Sequence, residues 1–177
     1  MSLKYVKGNV LDNLDKVTEP TLLIHVCNDA GGFGSGVAGA IAKKYPDVRD
    51  AYMEWWRTGV FHNPNNIKNH VEFKLGQVQP IEVETNVLIV NMIAQSTPGG
   101  QDFKIGKENI HLRPLRLESL QECLYRVAQT SIKNKYKVIG PMFGSALAGG
   151  NWDKEIEPLV YECLVKFGID VTIFKFE

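Results

Sequence analysis

The sequence has no excess of either charge: lysine plus arginine and aspartate plus glutamate number 20 each. It has no basic run and no interleaving of aromatic with basic residues. General nucleic-acid binding is therefore not expected, because the electrostatic footprint of a protein that grips a polyanion is missing. Cysteine is scarce. The three cysteines, Cys27, Cys123 and Cys163, form an odd set without Cys-x-x-Cys spacing, which speaks against a disulfide framework or a zinc site and for small core residues in a reducing compartment. No metal site and no cofactor is expected. No apolar run approaches the roughly 20 residues that a bilayer span requires, and Met-Ser-Leu-Lys-Tyr opens no apolar signal region. A soluble, cytoplasmic protein without membrane contact is the expectation. Repeats, linkers and low-complexity stretches are lacking too, and a length of 177 residues suits one domain, 1–177, with a sizeable core.

What is present centres on residues 24–46. Ile24 to Cys27 reads as the end of a buried strand, glycines follow at 31, 32, 34 and 36, and Val37, Ala40 and Ile41 then fall on one side of a helix. Glycines let main-chain N–H groups approach an anion closely, and a helix start adds unpaired donors and a favourable dipole. Phosphate is the first ligand this grammar suggests, although the spacing fits neither a P-loop nor a dinucleotide fingerprint. A tight strand-to-helix turn without a ligand is the competing reading.

Along the chain, Leu3 to Lys7 and Thr21 to Cys27 are strand candidates close enough in sequence to be neighbours. Ser35 is placed to cap a helix to about Lys44, and Pro46 to open a second helix through Trp56. Gly59 to Asn69, with His62 and His70 in or beside it, reads as a surface loop. Phe73 to Gln79 and Val87 to Ala94 read as strands joined by an acidic turn containing Glu82 and Glu84, the second apolar on both faces and hence central. Residues 95–113 lose periodicity around Pro98-Gly99-Gly100. Leu115 to Ile132 carries a helical stripe. Lys137 to Pro141 then runs as a strand into a second glycine-bearing loop, followed by a helix to Phe167 capped by Asn151 or Asp153 and a closing strand from Val171 to Phe176. Strands alternating with helices imply a mostly parallel sheet with ligands held beyond the carboxyl ends of its strands. Both glycine loops leave strands at those ends, so they can face each other as two walls around a diphosphate.

Three motifs carry a resemblance over essentially the whole chain: Lys7-Gly8-Asn9-Val10, Ile24-His25-Val26-Cys27-Asn28 with the glycines after it, and Pro141-Met142-Phe143-Gly144 through Gly149-Gly150-Asn151-Trp152. Together they resemble a macrodomain, and within that family the small stand-alone branch that includes a yeast ADP-ribose 1''-phosphate phosphatase and a terminal ADP-ribose protein glycohydrolase. The resemblance implies an α/β, three-layer α/β/α fold with a mixed, mostly parallel sheet that binds ADP-ribose. It sets Asn9, between Gly8 and Val10, at the adenine amino group, and Asn28 at the distal ribose. Loop 31–37, with Gly31, Gly32, Gly34, Ser35, Gly36 and Val37, wraps the diphosphate; Phe143, Gly144, Ser145, Ala146 and Leu147 close over it. Two residue-level alternatives remain: Asn9 capping a turn, and Gly149-Gly150 serving only as a helix-entry turn.

Departures from the family pattern bear on chemistry. Ala38 stands where hydrolase relatives carry a water-orienting aspartate, and Ala148 where the glycohydrolase carries its carboxylate. Lys104 and Lys107 are only nominal counterparts of its lysine. The titratable candidates left are His25, whose ordinary pKa near 6.5 suits proton transfer, and Asp29; with Asn28 they form the candidate catalytic set. His25 has a second reading as a satisfied core residue, since strand alternation sends it away from the face that Asn28 uses, and Asp29 as a turn former. The expected function is binding of ADP-ribose with hydrolysis of ADP-ribose 1''-phosphate to ADP-ribose and phosphate. The alternatives are a non-catalytic ADP-ribose-binding module and an ADP-ribosyl hydrolase acting on modified protein or nucleic acid.

Overall fold

In the computed structural model, which describes residues 2–62, 70–97, 101–145 and 148–176, strands and helices alternate about a central sheet. β1 (Leu3–Lys7) turns Leu3 and Tyr5 inward and leaves Lys4, Val6 and Lys7 exposed, whereas β2 (Thr21–Asn28) is buried along nearly its whole length. α1 (Gly36–Lys44) and α2 (Pro46–Thr58) follow directly, with Pro46 supplying the fixed φ that a first helical turn accepts. A small ribbon of β3 (Val60–His62) and β4 (His70–Glu72) leads to β5 (Val78–Glu84) and β6 (Val87–Gln95). A second ribbon, β7 (Gln101–Ile105) with β8 (Glu108–Leu112), precedes α3 (Leu117–Asn134) and β9 (Lys137–Pro141). A wide helical turn over Trp152–Ile156 then enters α4 (Glu157–Cys163), and β10 (Val171–Lys175) is the closing strand.

The sheet order is β1-β10-β9-β2-β6-β5, parallel throughout except for β5. Alternation along the central strands divides the core in two. Leu22, Ile24, Val90 and Met92 pack under α3 and α4 with Leu120, Leu124 and Val160. Leu23, Cys27, Ile89 and Ile93 pack under α1 and α2 with Ile41, Val48 and Trp55. This is the expected three-layer α/β/α arrangement. Each of these side chains contributes roughly 1.5–3 kcal/mol relative to an exposed one. A one-residue slip of β2 against β6 would move every one of them to the wrong layer, so the register is strongly held.

Several local expectations are corrected. β1 pairs with β10 and not with β2. Its half-polar composition suits an edge, and the central place beside β2 goes to β9, whose Val138-Ile139-Gly140 is buried. The strand expected at 73–79 lies at Val78–Glu84, so Glu82 and Glu84 belong to β5 rather than to a turn. As an antiparallel edge strand it tolerates Pro80 and turns Pro80 and Glu82 to solvent. The loop expected over 59–69 begins with β3, and His62 and His70 pair across that ribbon through their main chains; residues 63–69 lie outside the described residues. The aperiodic stretch 95–113 holds the antiparallel strands β7 and β8, the latter mostly exposed and so without a buried apolar run, and Pro98-Gly99-Gly100 lies outside the described residues. The helix expected to reach Phe167 stops at Cys163, and a separate tight turn covers Val165–Phe167. All three cysteines are buried and free. Among the described residues no helix is long and apolar enough to cross a membrane.

Candidate functional site

The first glycine loop is organised by Asn28. Its Oδ1 accepts from the N–H of Ala30 (2.9 Å) and of Gly32 (3.1 Å), and its Nδ2 donates to Gly32 O at 2.9 Å. The side chain that the resemblance sets at a ribose therefore folds its own loop into a closed turn. Tyr52 on α2 completes the structure: its hydroxyl donates to Asn28 O at 2.7 Å and accepts from Gly31 N–H at 3.1 Å. Burial pushes this phenol's pKa up, so it stays a neutral donor and acceptor. Gly31, at φ 84°, lies against the Trp56 indole so closely that a Cβ there would sit 2.7 Å from the ring. Gly36, at φ 59°, opens α1, and Ser35 occupies the cap position without using its hydroxyl as a cap. The N–H groups from Gly34 to Ala38 find no acceptor among the described residues, the usual condition of a helix start.

Asp29 faces the neighbouring chain segment: its N–H donates to Gln95 O at 2.9 Å, and its carboxylate accepts from Thr97 N–H at 3.0 Å. At the end of β1, Gly8 donates to Lys175 O, and Asn9 Oδ1 accepts from Leu11 N–H at 2.9 Å, the turn-capping alternative; Val10 is buried. The second loop leaves β9 at Pro141. Gly144 has φ 76°, Ser145 Oγ donates to Met142 O at 2.6 Å, and Gly150 N–H closes onto Gly144 O at 2.8 Å. Arg113 buttresses it from outside, pairing in two-pronged fashion with Glu155 (2.7 and 2.6 Å) and donating to Gly149 O. That guanidinium, with the Asn151 N–H, holds the Glu155 carboxyl down at about 2. Ala146 and Leu147 lie outside the described residues.

His25 takes a different part. It stands in register with Asn91 on β6, which stands in register with Gln79 on β5, and the three side chains form a chain across the sheet. Gln79 Nε2 donates to Ala51 O on α2, and Asn91 Nδ2 donates to Gln79 Oε1, which leaves Asn91 Oδ1 to accept from His25 Nε2 at 2.5 Å. That order assigns the proton to Nε2. Phe33 packs edge-on against the ring, and Cys27 Sγ lies 3.7 Å from Nε2. Only 2% of the residue is exposed, and burial lowers the imidazole pKa to about 4, against a smaller opposing effect of the Asn91 bond. This surrounding matches the satisfied-core reading.

A pH dependence follows. Above pH 6.5 the imidazole is neutral in both folded and unfolded chains, and the native state has its full stability. As pH falls from 6.5 toward 4, only the unfolded chain takes up the proton, so roughly 3 kcal/mol of stability is lost across that window. Urea midpoints measured between pH 7.5 and 4.5 are expected to fall steeply for the wild type and more shallowly for His25→Gln; equal slopes would assign the acid sensitivity to other groups.

Between the loops lies a cavity of about 430 Å³, walled by Gly32 to Ala38 on one side and by Pro141 to Gly144 with Ala148 on the other. Its volume is within the roughly 300–1,000 Å³ of small-molecule sites. His25, Asn28, Gly32, Gly34, Ser35, Gly36, Val37, Phe143 and Gly144 contribute to it; Gly8, Asn9, Val10, Asp29, Gly31 and Ser145 do not. Ala38 and Ala148 both line it, and among the described residues no aspartate, glutamate, lysine or arginine does. Nor do the described residues hold a cluster of three or more potential metal ligands. A second cavity, of about 580 Å³, lies at the amino ends of β2, β9 and β10 by Pro20, Lys137 and Asp170. It touches neither glycine loop, and sheets of this kind hold ligands beyond the opposite ends. The sequence reading missed Tyr52, which acts from 24 residues downstream of Asn28, and Gln95, a cavity residue. Gln95 had a visible signal, being the first polar residue after the buried run from Met92 to Ala94.

Two opposed glycine loops at the carboxyl ends of parallel strands define an α/β protein whose cleft, among the described residues, has no Asp, Glu, Lys or Arg and presents main-chain donors. No family model matches the chain. Solved structures do. It shares 31% identity with a macrodomain protein from Streptomyces coelicolor, over 98% of each chain with a TM-score of 0.71. Identity is also 31% to a protein of unknown function from Bacteroides thetaiotaomicron, covering 99% of this chain and 98% of that one with a TM-score of 0.81. At 16% identity, covering 87% of this chain and 37% of the other, Thermosipho africanus DarTG in complex with ADP-ribose shares the fold with a TM-score of 0.64. Over 55 residues the chain is 33% identical to an ADP-ribose 1''-phosphate phosphatase from Lodderomyces elongisporus, covering 31% of this chain and 34% of that protein. It thus spans about a third of the length of the curated relatives it matches. The chain belongs to the macrodomain family.

Proposed function

We propose that the cleft binds ADP-ribose and that the protein hydrolyses ADP-ribose 1''-phosphate to ADP-ribose and phosphate. The observation that carries this reading is the pair of facing glycine loops: among the described residues, the N–H groups from Gly34 to Ala38 at a helix start find no acceptor and no carboxylate lines the cavity to repel an anion. The name of the curated relatives supports the substrate. In this reading the diphosphate lies between the loops. Water attacks the terminal phosphorus, the bond from phosphorus to the distal-ribose oxygen breaks, and that oxygen takes a proton from solvent. Positioning and main-chain donors stabilise the charge that develops. Asn28 and Asp29 act by holding the first loop in shape, and His25 by anchoring β2 to β6.

A second reading is a non-catalytic ADP-ribose-binding module, whose partners include ADP-ribosylated macromolecules. It is favoured by the absence, among the described lining residues, of a titratable group free to move a proton: His25 is committed to Asn91 and Cys27 is buried with a raised pKa. Hydrolysis of ADP-ribosyl groups on macromolecules has less support, because Ala38 and Ala148 line the cavity where such relatives carry carboxylates. Incubating the pure protein with ADP-ribose 1''-phosphate and following phosphate release, beside calorimetry with ADP-ribose, separates the readings. Release with binding is the expected result. Binding without release leaves the second reading, and neither would overturn both.

A further inference from the structure

The pairing of β2 with β6 is irregular where it meets the cleft. Cys27 stands beside Ile93, but the next pair is Asn28 with Gln95, so Ala94 is skipped. Such a bulge inserts one residue and re-aims those beyond it, a device common beside functional sites. Here it brings Gln95 level with Asn28, the residue that shapes the first loop, and Gln95 lines the cavity. Its main chain is fixed from two sides: its carbonyl accepts from Asp29 N–H at 2.9 Å, and it bridges to Leu115. Ser96 N–H, one residue on, donates to Pro114 O at 2.8 Å.

The side chain is another matter. Among the polar side chains lining the cavity, His25 is bonded to Asn91, Asn28 to its own loop, and Cys27 lies against both His25 and Asn91. Ser35 and Gln95 have no side-chain hydrogen-bond partner among the described residues. Two further features give Gln95 a direction. The sheet order runs β1-β10-β9-β2-β6, and the two glycine loops extend from β9 and β2. A diphosphate held between them leaves one end of the ligand toward β10 and β1, where Asn9 stands, and the other toward β6, where Gln95 ends the strand.

We infer that Gln95 contacts the phosphate on the distal ribose, its carboxamide N–H donating to a phosphate oxygen, and so distinguishes ADP-ribose 1''-phosphate from ligands that end at the diphosphate. This inference rests on the ADP-ribose reading of the cleft. A neutral amide suits the place, because it supplies two donors and an acceptor without adding charge to a cavity whose described lining has no Asp, Glu, Lys or Arg. Since the carboxamide has no partner among the described residues, its loss is expected to leave the fold intact.

The test is the affinity of the wild type, Gln95→Ala and Gln95→Glu for ADP and ADP-ribose by calorimetry, and for ADP-ribose 1''-phosphate by KM where phosphate is released and by calorimetry where it is not, with thermal melting of each protein. Gln95→Ala is expected to weaken binding of ADP-ribose 1''-phosphate about tenfold, the loss of one hydrogen bond to a charged group. Its affinity for ADP and its melting temperature stay at wild-type values. Gln95→Glu is expected to weaken the phosphorylated ligand further, because it opposes like charges. A Gln95→Ala protein with wild-type affinity for ADP-ribose 1''-phosphate, or with an equal loss for ADP, overturns the inference while leaving the ADP-ribose reading in place. A wild type that binds none of the three ligands overturns both.

Discussion

Replacing Asn28 by alanine is expected to lower stability by roughly 3 kcal/mol and to remove measurable binding of ADP-ribose. The amide oxygen is shared by Ala30 N–H and Gly32 N–H, with the Tyr52 hydroxyl 3.1 Å away, and the amide nitrogen holds Gly32 O. Alanine leaves these groups without a partner in a half-buried turn, and each unsatisfied group costs about 1–3 kcal/mol unless water reaches it. In the wild type a Cβ at Gly32 would lie 2.9 Å from Asn28 Nδ2, so glycine at this position is part of the same closed turn. The loop that presents Gly34 to Ala38 then loses its shape. Asn28→Asp separates the two consequences. It keeps an oxygen for the N–H groups and so recovers part of the stability, but it places a negative charge at the floor of an anion site. Denaturant midpoints and calorimetric titration of both variants are the measurements. An Asn28→Ala protein that binds as the wild type does would show that the loop geometry is set elsewhere.

The second large effect is expected at Gly150→Ala, about 3 kcal/mol of destabilisation together with loss of ligand binding. A Cβ at this position would lie 2.5 Å from Gly144 O, 2.4 Å from Leu115 Cδ2 and 2.9 Å from Ile156 Cδ1. The leucine tip has room to rotate; the carbonyl does not, because it accepts the Gly150 N–H that closes the second loop. Relief therefore requires the loop to open. Gly34→Ala is the control for stability, since a Cβ there meets nothing within 4 Å and its backbone needs no left-handed conformation. A Gly150→Ala protein as stable as Gly34→Ala would mean that Gly144 to Gly150 adapts freely, and that Gly150 serves only as an entry to the helical turn at Trp152.

Much of the architecture was legible in residue patterns. The runs Thr21 to Cys27 and Val87 to Ala94 carry the burial of central strands in their composition, and glycines after Asn28 and after Phe143 mark where the chain must turn closely. Those signals are local, so one sequence suffices to read them. The ribbons were not legible: β3 and β4 are strands of only three residues, and β7 and β8 carry just two apolar residues each, with no buried run to mark them. His25 was half legible. Alternation sets it on the face of Leu23 and Cys27, yet nothing near it in sequence names Asn91 or Gln79 as its partners or shows that it also lines the cavity.

By itself, then, the sequence determined which residues are buried, where strands give way to glycine loops, and that both loops lie at carboxyl ends of strands. Burial and backbone freedom are properties of residues and their immediate neighbours. Tertiary structure decided the rest: that β1 lies at the edge beside β10, that Tyr52 and Trp56 hold a loop more than twenty residues upstream of them, and that a bulge in β6 brings Gln95 into the cleft. Strand order and register follow from the summed burial of two layers, a quantity belonging to the whole sheet, and small shifts in that register select which polar side chains remain free to meet a ligand.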